Sequence, residues 1–420
     1  MRKDVLKQYI VLIFCFMFLI LTSACGGNQD NQKQIDEPEN SINLDAFLQT
    51  VNLPENFSLA FDESEVKSVD SAKTYKAAPL ELDADEIAGR LLKGKIISTE
   101  ISAQGPWFEA ENESFKEYLT VFDGGKSFGI DSGLEGGLSY SVYRNDEQSN
   151  PAHSELLPRQ PGPPDSIAQR WGYNLKSDYA SFADLSFMNY KDSLAAVEKV
   201  LYDTLGFPGL EVAETYSIDL ETTLKHYELY LDSREYFRGE EDEEEDEVIL
   251  TKDDECYVFF FRQLIDDIPV INLIWDGGVL TDSAAETAKQ PIQTAAGNVM
   301  PGTDVNVCYD RSGVRSISAY NLYKIIESGE KRQLVSPAKA LQVVIDEYSE
   351  ILLAGETIVE SMELCYAVIP SEDSCQLIPA WVFCIAEAEN ETDQTGGTKK
   401  TIYSYEIYVV DAITGAKISS

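Results

Sequence analysis

The chain has 420 residues and a formal net charge of −40, from 73 Asp and Glu against 33 Lys and Arg. A field of that sign repels phosphate backbones and anionic headgroups, which excludes nucleic acid as a partner held through its backbone and makes basic partners the easier ones. An apolar content of 44% with 10% aromatics suits packed domains, not a disordered acidic chain.

Arg2, Lys3 and Lys7 precede an almost wholly apolar run from Tyr9 to Leu21, the order of regions in an export signal. The run is shorter than the ~20 apolar residues that span a membrane. It ends on Thr22-Ser23-Ala24-Cys25, which resembles a bacterial lipobox, although Thr22 stands where that family prefers Leu. The resemblance implies a signal peptide over residues 1–24 and a lipid on the Cys25 thiol. It also implies residence on the outer face of the cytoplasmic membrane, as in Gram-positive lipoproteins. Residues 25–43 are polar and rich in Gly, Asn and Gln; they cannot bury a core and read as a disordered tether.

A short helix is predicted from Asn43 to Val51, and Asp83 with Glu86 three residues on predicts another, capped at its start, through Leu92. Strand-like runs follow: KIISTEIS, PWFEAE and KEYLTVF, then the Gly-punctuated DGGKSFGIDSGLEGGLSYSVY ending at Tyr143. Residues 44–150 thus read as a β-rich N-terminal domain. Pro151, Pro158, Pro161, Pro163 and Pro164 interrupt any regular element and make residues 151–180 a connector.

Beyond the connector, one pattern occurs twice. Asn189 opens a helix with Leu194, Val197, Leu201 and Leu205 on one face, ending at Gly206. Ser336 and Pro337 open another, with Leu341, Val344, Ile345 and Tyr348 as its stripe. Strand candidates follow each helix: GLEVAETYSID and CYVFFFRQLIDDIPVINLIW after the first, ETIVESMELCYAVI, IPAWVFCIAEA and YSYEIYVVDA after the second. TLKHYELYL, between the first two, also reads as a strand. The expected fold class is therefore α+β, with antiparallel sheets each packed by a helix. Two related C-terminal modules, residues 181–302 with an acidic loop at 239–247 and residues 303–420, follow the β-rich domain.

IPAWVF, Ile378 to Phe383, and YVVDAITGAKI, Tyr408 to Ile418, resemble the C-terminal signature of the YycH/YycI regulators and of PepSY-like modules. FRQLIDDIPV, Phe261 to Val270, resembles the strand–turn–strand that ends such a module. The resemblance covers about Ser186 to Ile418. It implies an extracytoplasmic, non-catalytic protein that restrains another envelope protein, such as a sensor kinase or a protease. Pro379, Trp381, Asp411 and Gly415 are the signature residues it marks, with Pro379 at a strand start, Trp381 as a core anchor and Gly415 in a turn. The YycH/YycI proteins carry a transmembrane helix where this chain has Cys25, so signalling through helix pairing in the bilayer is not expected.

Catalytic readings are weaker. His153 and His226 are the only two histidines, and neither has a partner at ligand spacing, so no metal site and no cofactor are expected. Gly125 to Gly129 matches a G-x-S-x-G nucleophile elbow in letters only, because strand-like sequence follows where a helix is needed. Thr120 occupies the place of the first glycine of a phosphate-binding loop. Glu240 to Glu247 is a run of eight carboxylates without the spaced ligands and glycine of a calcium loop, and reads as a hydrated loop. Cys256, Cys308, Cys365, Cys375 and Cys384 contain no CxxC pair, so buried thiols are the default and any disulfide pattern stays open. With this many acidic residues, a carboxylate-dependent hydrolase such as a glycosidase is the alternative to a binding or regulatory protein. A solute-binding lipoprotein is disfavoured by the lack of alternating βαβ units.

Overall fold

Capping side chains set the helix starts. Asn43 accepts from the Asp45 N–H and opens α1, Leu44–Leu48, which is followed by β1, Phe57–Leu59, and β2, Ser71–Pro79. Asp83 accepts from the Glu86 N–H and opens α2, Ala84–Leu91. Four strands follow: β3, Ile96–Gln104, β4, Phe115–Phe122, β5, Lys126–Asp131, and β6, Gly137–Val142. Asn189 caps α3, Tyr190–Lys199, which runs into a π turn over Val200–Thr204. Next come β7, Leu210–Ile218, α4, Leu220–Phe237, β8, Cys256–Ile265, and β9, Ile268–Pro269. Then β10, Asp304–Asp310, β11, Gly313–Tyr320, and β12, Tyr323–Gln333, lead to α5, Pro337–Ser349, capped by Ser336 on the Lys339 N–H. The long strands β13, Thr357–Ser371, β14, Ser374–Glu391, and β15, Lys400–Asp411, finish the fold.

This computed structural model describes residues 43–92, 96–104, 115–122, 126–131, 136–142, 172–173, 176–237, 249–272, 299–300, 302–371, 374–391 and 400–418. They belong to the compact unit Ile42–Ser420. Among them no helix is long and apolar enough to cross a membrane.

The architecture is α+β, with two sheets and few helices. The first sheet has six strands in the order β1-β13-β14-β2-β12, with β15 also on β14. β14 is long enough to share one edge: Ala380 to Glu391 pair with β15, while Cys375 to Leu377 pair with β2. β1 runs parallel to β13. The second sheet has nine strands, β3-β4-β5-β6-β11-β10-β8-β7 with β9 hairpinned onto β8. Its members are antiparallel throughout.

Two large clusters of side chains form the cores. Leu341, Val344, Ile345 and Tyr348 of α5 lie in one core with Trp381, Phe383 and Tyr408 of the first sheet. Val197, Leu201 and Leu205 join the core that holds Tyr257, Phe259, Phe261, Val305 and Val307 of the second sheet. Each stripe therefore removes its apolar surface from water against strands.

The strands of residues 44–150 do not close on themselves. β1 and β2 belong to the first sheet, while β6 pairs with β11, Gly137 opposite Tyr320 through Ser141 opposite Ser316. An unpaired β6 edge would leave its N–H and C=O groups exposed for pairing, and β11 satisfies them. The expected boundaries near residues 150 and 303 consequently cut across both sheets. Removing residues 303–420 would strip partners from β1, β2, β6 and β8 together.

TLKHYELYL is helical, within α4, and not the expected strand. Asp219 starts it, accepting from the Thr222 N–H at 2.8 Å. Thr223, His226, Tyr227, Tyr230 and Ser233 are buried, a helical spacing carried by polar and aromatic residues instead of leucines. Cys25, the tether up to residue 42, PWFEAE, Pro151 to Pro164 with His153, and the acidic run Glu240 to Glu247 lie outside the described residues, while Asn43 at the tether's end caps α1.

Candidate functional site

The sequence LIDDIP turns sharply between β8 and β9. Asp266 and Asp267 both take left-handed backbone angles, φ 47° and 62°, which matches the two-residue turn that joins right-twisted antiparallel strands. Ile265 pairs with Ile268 on either side of it. This geometry presents the Asp266 carboxylate to β2, where it accepts a hydrogen bond from the Tyr75 hydroxyl. Tyr75 meets Tyr366 of β13 edge-on at 5.6 Å between ring centroids, and the Tyr366 hydroxyl donates to the Lys73 carbonyl at 3.1 Å. Burial, followed by the bond to Asp266, pushes Tyr75 up to about 12. Tyr75 is thus a neutral donor at ordinary pH.

These groups border a cleft of about 410 Å³ lined by Asp70, Ser71, Lys73, Asp266, Lys331 and Tyr366, with Val69, Ala72 and Ile268 as its apolar part. The volume falls within the usual range for small-molecule sites. Tyr366, a fully buried core residue packed on Tyr75, supplies the aromatic wall, whereas Lys331, Asp266 and Asp70 face solvent. An aromatic wall with both signs of charge at its rim can orient a small polar molecule.

Arg262 of β8 ties the two sheets together. It donates to both Glu363 oxygens, at 2.6 and 2.7 Å, and to Glu211 at 3.1 Å. Burial lifts Glu363, but the Arg262 hydrogen bonds and charge outweigh it and hold the carboxyl below its ordinary range.

A second group gathers at the end of α5. Glu347 accepts from Lys417 at 2.7 Å and from the Tyr408 hydroxyl, and Lys417 lies 4.2 Å over the Tyr408 ring. Burial lifts Glu347, yet these bonds hold it below the usual carboxylate value. Glu406 goes the other way, raised by burial and then by the Glu387 charge. The two carboxyls are therefore shifted in opposite directions.

The stability consequence has opposite signs. Glu347 contributes stability above the ordinary value of 4.5 and loses it as pH falls through its depressed value. Glu406 contributes below 4.5 and loses that contribution as pH rises through its elevated value. The substitution Glu406→Gln is expected to raise the melting temperature at about pH 7 more than at about pH 4. An equal shift at both values would refute the assignment.

The signature residues lie on β14, at the end of β15 and in the turn after it. Trp381 is fully buried, and its indole N–H donates to the Val335 carbonyl at 3.1 Å. Asp411 caps its own turn, accepting from the Ile413 and Thr414 N–H groups at 2.7 and 3.1 Å. Gly415 closes that turn at φ 73°, where a side chain would be strained. Pro379 stands opposite Tyr366 in the β13–β14 register, which links the signature to the cleft.

Other candidates separate from it. Ser127 lies inside β5, opposite Val121 and Ser141, with no strand-to-helix turn. His226 is buried, stacked on Tyr179 at 5.0 Å, with Nε2 3.5 Å from Asp178; burial pushes it down. Among the described residues no three His, Cys, Asp or Glu side chains are grouped to hold a metal. Cys256, Cys308, Cys365, Cys375 and Cys384 are all buried thiols. The Cys308 hydrogen bond and burial raise Cys256 well up, and burial raises Cys375 to about 11, so neither is a ready nucleophile.

The cleft residues were not singled out by sequence reasoning. In the sequence Asp266 stands out only as part of the FRQLIDDIPV turn, and Tyr366 only as part of a strand-like run. The consecutive aspartates before Ile-Pro were a usable signal, since Asp tolerates left-handed angles at a hairpin turn.

No family model matches the chain, and no curated protein matches it. Among solved structures, an uncharacterized protein from Eubacterium rectale ATCC 33656 aligns with a TM-score of 0.53 at 15% identity, covering 86% of this chain and 88% of its own. At that identity the likeness extends to the fold alone.

Proposed function

We propose that this chain is a lipid-anchored extracytoplasmic protein of the cell envelope that acts by binding and not by catalysis. Membrane lipid holds it through Cys25, on the outer face of the cytoplasmic membrane, and its partner is another envelope protein. The order of charged, apolar and small residues before Cys25 supports the location. The cleft at Asp266, Lys73, Lys331 and Tyr366 carries the binding reading, because Tyr366 and Asp266 are held in place by Tyr75 behind them while the charged rim is open. The resemblance of IPAWVF and YVVDAITGAKI to YycH/YycI and PepSY-like signatures supports a regulatory role. It also supports reading the helix-and-strand units of α3 and α5 as related modules.

Location is tested first. The variant Cys25→Ser is expected to move the protein from the membrane fraction to the soluble or uncleaved pool, and the membrane form to lose the mass of residues 1–24 while gaining a lipid. Retention of Met1 in the native membrane form would end the anchor reading.

One second reading is a carboxylate-dependent hydrolase, since the Glu347 and Glu406 carboxyls are shifted in opposite directions and a glycosidase uses two carboxyls of unlike acidity. Hydrolysis of glycoside substrates lost in Glu406→Gln would move the function to that site.

A further inference from the structure

β2 and β12 pair without interruption except at two bulges, and the second bulge lies on the cleft. Ser328 stands opposite Tyr75, but Lys331 stands opposite Lys73. Two steps along β2 are matched by three along β12, so one extra residue has been inserted. Had the register continued from Ser328, Glu330 would face Lys73 and form an opposite-charge cross-strand pair. The bulge replaces that pair with two lysines directly opposite each other, an arrangement that repels. Gly329 makes it possible: a Cβ there would lie 2.4 Å from the Thr74 hydroxyl oxygen and 3.1 Å from the Thr74 carbonyl. Neither lysine ammonium forms an ion pair among the described residues, in a chain where acidic groups outnumber basic ones by 73 to 33.

Both lysines line the cleft, and Asp266 and Asp70 line it too. Asp266 comes from the β8–β9 turn, where Tyr75 holds its carboxylate. The lining thus offers two cations set side by side by register, and acceptors that include one supplied by a separate element. We infer that the cleft binds a small zwitterion of the amino acid or short peptide class. Its carboxylate bridges Lys73 and Lys331, and its ammonium reaches Asp266 or Asp70. The anionic end relieves the repulsion that the bulge creates, while the aspartates favour a ligand that also carries donors over a simple anion. This inference rests on reading the cleft as a ligand site and specifies what it takes.

Calorimetric titration of the detergent-solubilised full chain tests it, with a panel of glycyl dipeptides, the same dipeptides as C-terminal amides, N-acetylated dipeptide amides, and inorganic phosphate. Binding of the free dipeptides is expected to weaken at least about tenfold in the amides, and by a similar factor in Lys331→Gln and Lys73→Gln. A second readout separates recognition from structure: Lys331→Glu restores opposite charges across the strands, so it should raise the melting temperature while abolishing binding. Equal affinity for acids, amides and acetylated amides, unchanged in Lys331→Gln, would overturn the zwitterion and leave a ligand site of other specificity. Saturation by phosphate without dipeptide binding would overturn it in favour of an inorganic anion. Failure of every probe to bind would overturn both the zwitterion and the cleft as a ligand site.

Discussion

Replacing Arg262 with Met is expected to destabilise the protein by about 3 kcal/mol, toward the lower end of the range for breaking a buried ion pair by removing one partner. Arg262 sits on β8 of the second sheet with 12% of its side chain exposed, and grips Glu363 on β13 of the first through both carboxylate oxygens. Glu211 of β7 adds a third bond at 3.1 Å. Removing the guanidinium leaves two carboxylates facing each other at the junction of the sheets. Glu363 retains 42% exposure, so water can solvate it in part, which places the figure at the low end. The Arg262 Nε has no acceptor among the described residues, so the native pair is itself imperfectly satisfied.

Two companion variants fix the interpretation. Lys at position 262 keeps the charge but cannot make the two-pronged contact, so it should recover only part of the loss. The double variant Arg262→Met, Glu363→Leu should recover more, because a pair of apolar residues avoids the uncompensated charge. Urea unfolding near neutral pH measures all three. A loss under about 1 kcal/mol in Arg262→Met would show that the sheets are held by apolar contacts alone. The difference between parent and variant should also shrink in acid. Glu363 contributes above its ordinary 4.5 and loses that contribution as pH falls through its depressed value.

Local structure was legible where one side chain decides it. Asp83, Asn189 and Ser336 cap helices as their positions predict, because a cap involves only the next few residues. Strands were legible from their aromatic and β-branched content, as in Cys256 to Ile265. α4 was misread for the same reason: His226, Tyr227 and Tyr230 suit a strand, and Leu224 and Leu231, which would mark a helical stripe, are exposed instead. The joining of β6 to β11 and of β2 to β12 and β14 was not legible, since pairing between distant segments is decided by which edges remain uncovered. The cleft was hidden for a finer reason. Lys73 and Lys331 become neighbours only through a one-residue bulge, and a shift of one residue would have put Glu330 in that place.

The second large effect falls on the signature itself. Trp381→Ala is expected to cost about 3–5 kcal/mol, the range for deleting a large buried aromatic. Trp381 is 0% exposed, lies opposite Leu364 of β13 and Val410 of β15 in register, and shares its core with the α5 stripe. Truncation would open a cavity between α5 and the sheet and leave the Val335 carbonyl, which receives the indole N–H at 3.1 Å, without that donor. Trp381→Phe keeps most of the volume and loses the hydrogen bond, so it should cost about 1–2 kcal/mol more than a conservative core exchange. These numbers bear on function because a fully buried residue cannot touch a partner protein. If IPAWVF is a structural signature, Trp381→Phe should lower the urea midpoint while leaving partner capture from the native envelope intact. Capture lost in Trp381→Phe with an unchanged midpoint would mean instead that this strand opens on binding, and that the indole is read by the partner directly.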